Sequence, residues 1–335
     1  MNQKEVALAR VDVIVPCYNY GHYLTGCVES ILGQEGVDVR ILILDDASPD
    51  QTAQVGEQLS RGDLRIEYRR HGVNRGHIAT YNEGLEWASA EYLLLLSADD
   101  LLVPGALFRA TQVMQAHGDV ALTYGKEIRT AAPLAETYCP PESYSCGVLT
   151  GRQFITACCK ECDNIVPTPT AVVRTAVQRQ IGGYRKDLPH AGDLEMWLRF
   201  ASKGAVAVLD CVQAYYRIHE ANMSRSFRGI SDLMQVRAAF EALFASKALN
   251  DTKLCRLARR NLACRFFWLA HRLFDTGKTT ECEECLRHVL ETYPSLRYEP
   301  QWFRFRCKRM MGQALWSAVG PLLRHVRTTT ARLSA

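Results

Sequence analysis

Two pairs of adjacent carboxylates, Asp45-Asp46 and Asp99-Asp100, each close an apolar run, and they are the first residues in the sequence whose types and spacing could do chemistry. The second pair follows Tyr92-Leu93-Leu94-Leu95-Leu96-Ser97-Ala98, a stretch without helical periodicity that reads as a strand buried on both faces. The first follows Val39-Arg40-Ile41-Leu42-Ile43-Leu44, which reads the same way. Carboxylates are rarely buried without a partner, so both pairs belong at strand ends. Two close carboxylates repel unless a cation or hydrogen-bond donors compensate them. A hard divalent ion, Mg²⁺ or Mn²⁺, suits such oxygen ligands and can hold substrate phosphates as well. The plainer use of the second pair is a solvated turn in which Asp100 caps the helix beginning near Pro104.

The elements that must position these pairs follow a regular rhythm. Val11 to Pro16 is a strand that runs into the turn residues Cys17-Tyr18-Asn19-Tyr20-Gly21. A helix carries Leu24, Cys27, Val28, Ile31 and Leu32 on one face. After the second strand come a helix through Ala53 to Leu59, a short strand Leu64 to Tyr68, the loop His71 to Gly76 and a helix from about Ile78 to Ala88. Alternating strands and helices predict an α/β fold with a largely parallel sheet. In such a sheet both carboxylate pairs emerge on one edge, where ligands bind in open α/β folds. Asp119 to Gly125 is a further strand, Thr130 to Ser145 a loop over the site, and Gly151 to Cys162 a short helix.

A glycine-rich dinucleotide loop is absent, because the turn after the first strand reads Pro16-Cys17-Tyr18-Asn19-Tyr20-Gly21. Gly277-Lys278-Thr279 imitates the end of a P-loop, but Arg272 stands where the first glycine is needed and no strand precedes it. What remains is an aromatic face at Tyr18 for a base, an acceptor at Asp45 for a base or ribose, and Asp99 for a cation on a diphosphate. These describe a nucleotide-diphosphate site built without a glycine-rich loop.

Composition sets the bounds. With 335 residues, 47% apolar and 23% charged, the chain is long enough for one large domain plus an appendage and is not of disordered type. A net charge of +4 does not by itself point to nucleic acid, and none is expected as a partner. Met1 to Arg10 is polar, and the 13 cysteines are odd in number, so a reducing cytoplasm with free thiols is expected. The Cys158/Cys159/Cys162 group and the Cys282/Cys285 pair fit small core residues on helices better than a zinc site.

Taken in order, several pieces resemble glycosyltransferase family 2, inverting enzymes of the GT-A fold. They are Val13-Ile14-Val15-Pro16-Cys17-Tyr18-Asn19, Ser30-Ile31-Leu32-Gly33-Gln34, Leu44-Asp45-Asp46-Ala47-Ser48-Pro49-Asp50, Asn74-Arg75-Gly76, Asn82-Glu83-Gly84-Leu85 and Ser97-Ala98-Asp99-Asp100. Gly182-Gly183-Tyr184, Gly192-Asp193-Leu194-Glu195-Met196-Trp197-Leu198-Arg199 and Tyr216-Arg217-Ile218-His219 complete the set, which spans residues 10–225. The resemblance implies a mostly parallel, Rossmann-like sheet flanked by helices, the fold of nucleotide-diphospho-sugar transferases.

It also implies roles. Tyr18 and Asp45 would contact the base, with Pro16 and Asn19 shaping that wall and Asp46 supporting the turn or the ribose. Arg75, Ala98 and Asp100 would join the donor nucleotide site, and Asp99 would bind the cation, with His219 reaching it from a later loop. Asp193, heading the acidic helix, would be the general base. Two positions depart from the family pattern: Ser97 stands for the first aspartate of the DxD motif, and Tyr81 for a basic residue before Asn82.

The expected activity is transfer of a sugar from a nucleotide-diphospho-sugar, by default a UDP-sugar, to a glycan, lipid-linked or other glycoconjugate hydroxyl. A sugar-nucleotide-forming nucleotidyltransferase would want a glycine-rich loop and a lysine after the first strand, and neither is present. The remaining alternative is a non-catalytic nucleotide-sugar-binding module in which Ser97 marks a degenerate metal site.

Residues 1–226 are read as the catalytic domain and 227–335 as a helical extension. Within the extension, Asp251 to Pro294 resembles one tetratricopeptide-like hairpin. Its end carries Arg297, Arg304, Arg306, Lys308, Arg309, Arg324, Arg327 and Arg332 among Trp302, Phe303, Phe305, Met310, Met311, Leu315 and Trp316. Such a segment suits either peripheral contact with the anionic inner face of a membrane or a solvated helix with one apolar side.

Overall fold

The computed structural model describes residues 8–131, 143–223, 229–246, 249, 251–312 and 316. The chain divides into two compact units. One comprises Met1–Cys158, Asp163–Phe227 and Ala238–Asn250; the other comprises Cys159–Cys162, Arg228–Arg237 and Asp251–Ala335.

The first unit opens with β1 (Ala9–Cys17), α1 (Gly21–Leu32), β2 (Val37–Asp45), α2 (Thr52–Gly62), β3 (Ile66–Arg70), α3 (His77–Trp87) and β4 (Tyr92–Leu95). It continues with β5 (Leu101–Leu102), α4 (Ala106–Ala116), β6 (Val120–Thr130), β7 (Cys146–Leu149) and α5 (Gly151–Glu161). A 3-10 turn at Thr168–Thr170 leads into β8 (Val172–Arg174), α6 (Thr175–Ile181), α7 (Gly192–Ala201) and β9 (Ala205–Arg217).

The sheet order is β3-β2-β1-β4-β8-β6-β9-β5, with β7 also on β9. β1, β2, β3 and β4 are mutually parallel, the half that the strand and helix rhythm foretells. Beyond β4 the short β8 runs antiparallel to both β4 and β6, and β6 then pairs in parallel with β9.

β1 shows why the centre of the sheet is so apolar. Val11, Val13 and Val15 join one core with Leu24, Cys27, Val28 and Ile31 of α1 and Leu107 of α4. Ile14 faces the other side, where Gly84 of α3 lies so close that an added Cβ would stand 2.3 Å from Ile14 Cγ2. Both faces are covered, so the strand has no polar face to show. Gly84→Ala is therefore expected to destabilise the fold by about 1–3 kcal/mol, the usual cost of overpacking; an unchanged urea midpoint would contradict that packing. The one acid within β1, Asp12, is fully buried and satisfied by a two-pronged pair with Arg40 at 2.8 Å and by the Ser89 and Ala90 N–H groups at 2.6 and 2.8 Å. That carboxylate is structural.

The second unit is helical. α8 (Ile230–Ala245) spans the two divisions, and α9 (Thr252–Asp275), α10 (Thr279–Thr292) and α11 (Pro300–Met311) follow. Asp251 caps α9 by accepting from the Lys253 and Leu254 N–H groups, each at 3.0 Å. Gly277, at φ +76°, makes the left-handed turn that reverses the chain into α10. Cys282, Cys285, Leu286 and Val289 of α10 are buried, as are Phe266, Phe267 and Ala270 of α9. Cys282 and Cys285 are thus core residues at one-turn spacing, and burial pushes the Cys285 thiol up to about 12.

The basic end differs from its sequence reading. Lys308 is buried and pairs with Asp275 at 2.5 Å, Arg309 pairs with Glu283, and Glu299 pairs with Arg260. Opposing charges come from α9 and α10, which a count along the tail alone could not reveal. Leu315, Arg324, Arg327, Arg332 and most of the expected loop over the site lie outside the described residues. Among the described residues, no helix is long and apolar enough to cross a membrane.

Candidate active site

The carboxyl edge of the parallel half assembles the candidate site. β1 lies between β2 and β4, so their ends flank its own. Cys17 is level with Asp45 on one side. On the other, the ladder runs past β4: the Leu96 N–H donates to Ile14 O at 2.9 Å and the Ala98 N–H to Pro16 O at 3.4 Å. Asp45 and Asp99 therefore leave the sheet on either side of the Cys17-Tyr18-Asn19 turn. Burial pushes the Cys17 thiol up to about 12, which makes it an inert end-stop for β1.

On the β2 side, two turns are locked together. Asn19 and Ala47 adopt the left-handed region at φ +62° and +59°. The Asn19 N–H donates to Ser48 Oγ at 3.0 Å, and the Ser48 N–H donates to Asp45 Oδ1 at 2.8 Å. The other Asp45 oxygen accepts from the Tyr68 hydroxyl at 2.8 Å and faces Arg70 Nε at 3.6 Å. Asp45 is wholly buried, so a base reaching it would use the second lone pair of an oxygen already engaged. Tyr18, by contrast, is 48% exposed and offers an open ring face beside this turn.

Asp46 points to the next loop. It accepts from the Arg75 N–H at 2.7 Å, the Gly76 N–H at 2.8 Å and the His71 ring at 2.7 Å. Burial alone would raise its pKa, but these hydrogen bonds outweigh it and hold the carboxyl below its ordinary value. Arg75 gives its backbone to Asp46 and its guanidinium to Glu83 at 2.7 Å, half exposed.

On the β4 side, Asp99 and Asp100 diverge. Asp100 is buried and accepts from the Arg217 N–H at 3.0 Å; burial, and then the neighbouring Asp99 charge, raise its pKa well above the ordinary range. Asp99 Oδ2 faces His219 Nε2 at 3.0 Å, while its buried Oδ1 has no hydrogen-bond partner. An orphaned carboxylate oxygen beside an imidazole is a donor set that fits a hard divalent cation. Among the described residues no group of three His, Cys, Asp or Glu side chains converges. A cation held here would thus draw its remaining ligands from phosphate and water, as Mg²⁺ commonly does.

His219 is itself positioned. Its N–H donates to Asn222 Oδ1 at 2.6 Å, and its ring meets Tyr20 and Tyr23 with centroids 5.3 and 5.4 Å away. Arg217 donates Nε to Asp99 O at 3.0 Å and lies 4.6 Å over the Tyr23 ring. The sequence reading gave no role to Arg217, Tyr20 or Tyr23. The signal was present in the apolar, valine-rich run from Ala205 to Leu209, which begins β9 and leads to Arg217 at its end.

Asp193 begins α7. Its Oδ2 accepts from Thr168 Oγ1 at 2.9 Å. Burial raises its pKa, only partly offset by Thr168, Tyr184, His77 and His190. Tyr184 is fixed by Asn82, which accepts from the Tyr184 N–H at 2.6 Å and donates to Tyr184 O at 3.0 Å. Gly183 has to be glycine here, since a Cβ would stand 2.4 Å from Asn82 Oδ1. Arg199 pairs with Glu195 at 2.8 Å and donates to the Gly183 carbonyl at 2.9 Å, so Glu195 holds the loop and not a substrate. His77 is occupied with Pro189 O at 2.9 Å.

Comparison with solved structures matches the fold to a known class. Staphylococcus aureus TarS 1-349, solved in complex with UDP-GlcNAc, has a TM-score of 0.65 at 19% identity, covering 85% of this chain and 82% of that one. The mannosyltransferase PcManGT of Pyrobaculum calidifontis, solved with GDP-Man and Mn²⁺, has a TM-score of 0.59 at 16% identity, covering 94% and 87%. These likenesses establish the fold, which is GT-A.

The model of the family "Glycosyl transferase family 2" matches residues 12–134, and that part of the chain belongs to the family. An uncharacterized protein of Mycobacterium tuberculosis is 31% identical over 215 residues, 58% of this chain and 63% of its own length. The Campylobacter jejuni GalNAc(5)-diNAcBac-PP-undecaprenol beta-1,3-glucosyltransferase is 34% identical over 119 residues, 35% of this chain and 38% of its own length. The chain thus spans less than two thirds of the length of these curated relatives.

Proposed function

We propose that the chain transfers a sugar from a nucleotide-diphospho-sugar to a hydroxyl of a glycan, lipid-linked or other glycoconjugate acceptor, with inversion at the anomeric carbon. The observation that carries this reading is Asp99 at the end of the parallel half of the sheet, whose buried Oδ1 has no hydrogen-bond partner while its Oδ2 faces His219 Nε2 at 3.0 Å.

In the proposed step the acceptor oxygen forms a bond to the anomeric carbon as the bond to the β-phosphate oxygen breaks. Asp193 takes the acceptor proton, and the nucleoside diphosphate leaves with the bonding electrons. Attack and departure on opposite faces invert the centre, as in inverting hydrolases. Tyr18 would stack on the base, Pro16 and Asn19 would shape that wall, and Asp45 would receive a base or ribose donor. Ala98 and Asp100 would back the diphosphate pocket. Asp99 and His219 would hold Mg²⁺ or Mn²⁺, which when bound supplies Lewis-acid stabilisation of the diphosphate. The departure at Ser97 leaves this site with one fewer carboxylate than the DxD pattern supplies.

The reading is tested by thermal shift with UDP-glucose, UDP-GlcNAc, UDP-galactose and GDP-mannose, each with and without Mn²⁺. A stabilisation that needs both donor and cation is expected, and no response to any donor would contradict it. Turnover then separates an enzyme from a binding module, since a module would bind without hydrolysing or transferring.

The proposed setting is the cytoplasmic side of a membrane carrying the acceptor. Supporting this, α11 exposes Phe303 at 68% and Met310 at 84% beside the exposed Arg304 and Arg306. Deleting the chain after Pro294 should reduce sedimentation with anionic liposomes; undiminished binding would remove the membrane contact.

A further inference from the structure

We infer that Thr168 is a positioning residue for the proposed general base: its hydroxyl holds one oxygen of Asp193 at the edge of the sheet where the acceptor must arrive. The inference rests on the transferase reading above, with Asp193 as its base, and names what keeps that base in place.

Three observations support it. First, the contact is direct. Thr168 Oγ1 donates to Asp193 Oδ2 at 2.9 Å, across 25 positions of sequence. Asp193 stands in the first turn of α7, and both residues are partly exposed, so an acceptor can reach the pair. A carboxylate offers acceptor sites on both oxygens. Holding Oδ2 fixes the group and leaves Oδ1 to receive a proton.

Second, the mount is stiff. Thr168 lies between Pro167 and Pro169; each ring fixes its own φ, and Pro169 also restricts the residue before it. The Thr170 N–H donates to Pro167 O at 2.9 Å and the Ala171 N–H to Thr168 O at 3.1 Å. Buried Thr170 fastens the turn to β6: its hydroxyl donates to Pro167 O at 2.7 Å and accepts from the Gly125 N–H at 3.2 Å. A β-branched side chain on such a turn has few rotamers to lose.

Third, the turn is rooted at the right edge. β8 begins two residues after it passes Thr170, and it runs antiparallel to β4 with Val172 opposite Leu94 and Arg174 opposite Tyr92. The start of β8 therefore meets the end of β4, from which the chain runs on to Asp99. Asp193 belongs to a helix and Asp99 to a strand end, and the Thr168 turn is a link between them.

A hydrogen bond to a carboxylate favours its charged form, so losing the hydroxyl should raise the pH at which Asp193 takes its proton. The groups facing Asp193 are Thr168 from this turn, Tyr184 and His190 from the segment before α7, and His77 and Tyr81 from α3. Replacing Thr168 leaves the other four in place.

The experiment compares the wild-type chain with Thr168→Val, which has the same shape without the donor, and Thr168→Ser, which keeps the hydroxyl. Donor hydrolysis, with water as acceptor, is followed across pH using whichever UDP- or GDP-sugar of the panel turns over best. Thr168→Val is expected to lower kcat by about tenfold, the scale of one hydrogen bond to a charged group. It should also move the acid limb of kcat up by about one pH unit, with the donor KM within about twofold. Thr168→Ser should recover most of kcat and return the limb to its wild-type position.

An unchanged kcat and acid limb in Thr168→Val overturn the inference. So does a loss of kcat with the limb unmoved, or a serine variant no better than the valine one, since either means that the residue only packs. Should Thr168→Val fail to fold, Thr168→Ala is read against the same outcomes. Wild-type protein that turns over no donor sinks the transferase reading itself. Near wild-type turnover by Asp193→Asn sinks the base and this inference with it; an inactive Asp193→Asn beside an unaltered Thr168→Val sinks this inference alone.

Discussion

Asp193→Asn is expected to reduce sugar transfer by about a thousandfold, within the range for loss of a general base, while donor affinity stays within about twofold. The amide keeps the shape and can still accept from Thr168, but it cannot take a proton. The environment of Asp193 adds a pH dependence. An ordinary aspartate titrates near 3.9, and burial places this one higher. The acid limb of kcat/KM should therefore lie above the ordinary aspartate range, and activity should fall earlier on acidification than for a solvated carboxylate.

The sign for stability is opposite. The fold disfavours the charged form, so the raised pKa costs stability as pH climbs from the ordinary value through the raised one. Asp193→Asn removes that penalty and should melt no lower than wild type at neutral pH. Kinetics, calorimetry and a melting curve check the three parts. A variant that binds donor and turns over at near the wild-type rate would show that Asp193 is not the base.

Asp99→Ala should remove the cation-dependent part of donor affinity, with Mn²⁺ no longer shifting the melting point in the presence of donor. The expected loss in donor affinity is about 10- to 100-fold, since on the proposed assignment only His219 would remain as a protein ligand. At about 4 Å, two unit charges attract by about 4 kcal/mol at an effective dielectric near 20, so a dication on a diphosphate is a large contribution to lose. Titrating Mn²⁺ against wild type and variant in the presence of donor checks it. Equal cation responses in both would move the cation away from Asp99.

How much of this was legible beforehand differs by element. The β1, β2 and β4 core was legible because strands covered on both faces have near-continuous apolar sequences, and Tyr92 to Leu96 has no other reading. The common edge for Asp45 and Asp99 followed from parallel strands alone. β9 was not singled out, because its apolar run from Ala205 to Leu209 is interrupted at Asp210 and Gln213 without a period of two. β5, of two residues, and β7, of four, are too short for periodicity to register. The clamp of Asn82 on Tyr184 was invisible for a different reason. Asn82 and Tyr184 lie 102 positions apart, and no local pattern announces that an asparagine side chain will clamp a distant backbone. The basic tail misled for the same reason, since its counter-charges sit on α9 and α10.

The central claim is that one edge of the sheet holds an activated sugar, with the base at Tyr18 and Asp45 and the diphosphate at Asp99. A crystal structure of the chain with UDP-GlcNAc and Mn²⁺, or GDP-mannose if that donor gives the larger thermal shift, tests it most directly. The account predicts an aromatic stack on Tyr18, a cation touching Asp99 and His219, and the sugar on the Asp193 side of that cation. A nucleotide bound elsewhere, or a diphosphate and cation apart from Asp99, would contradict it.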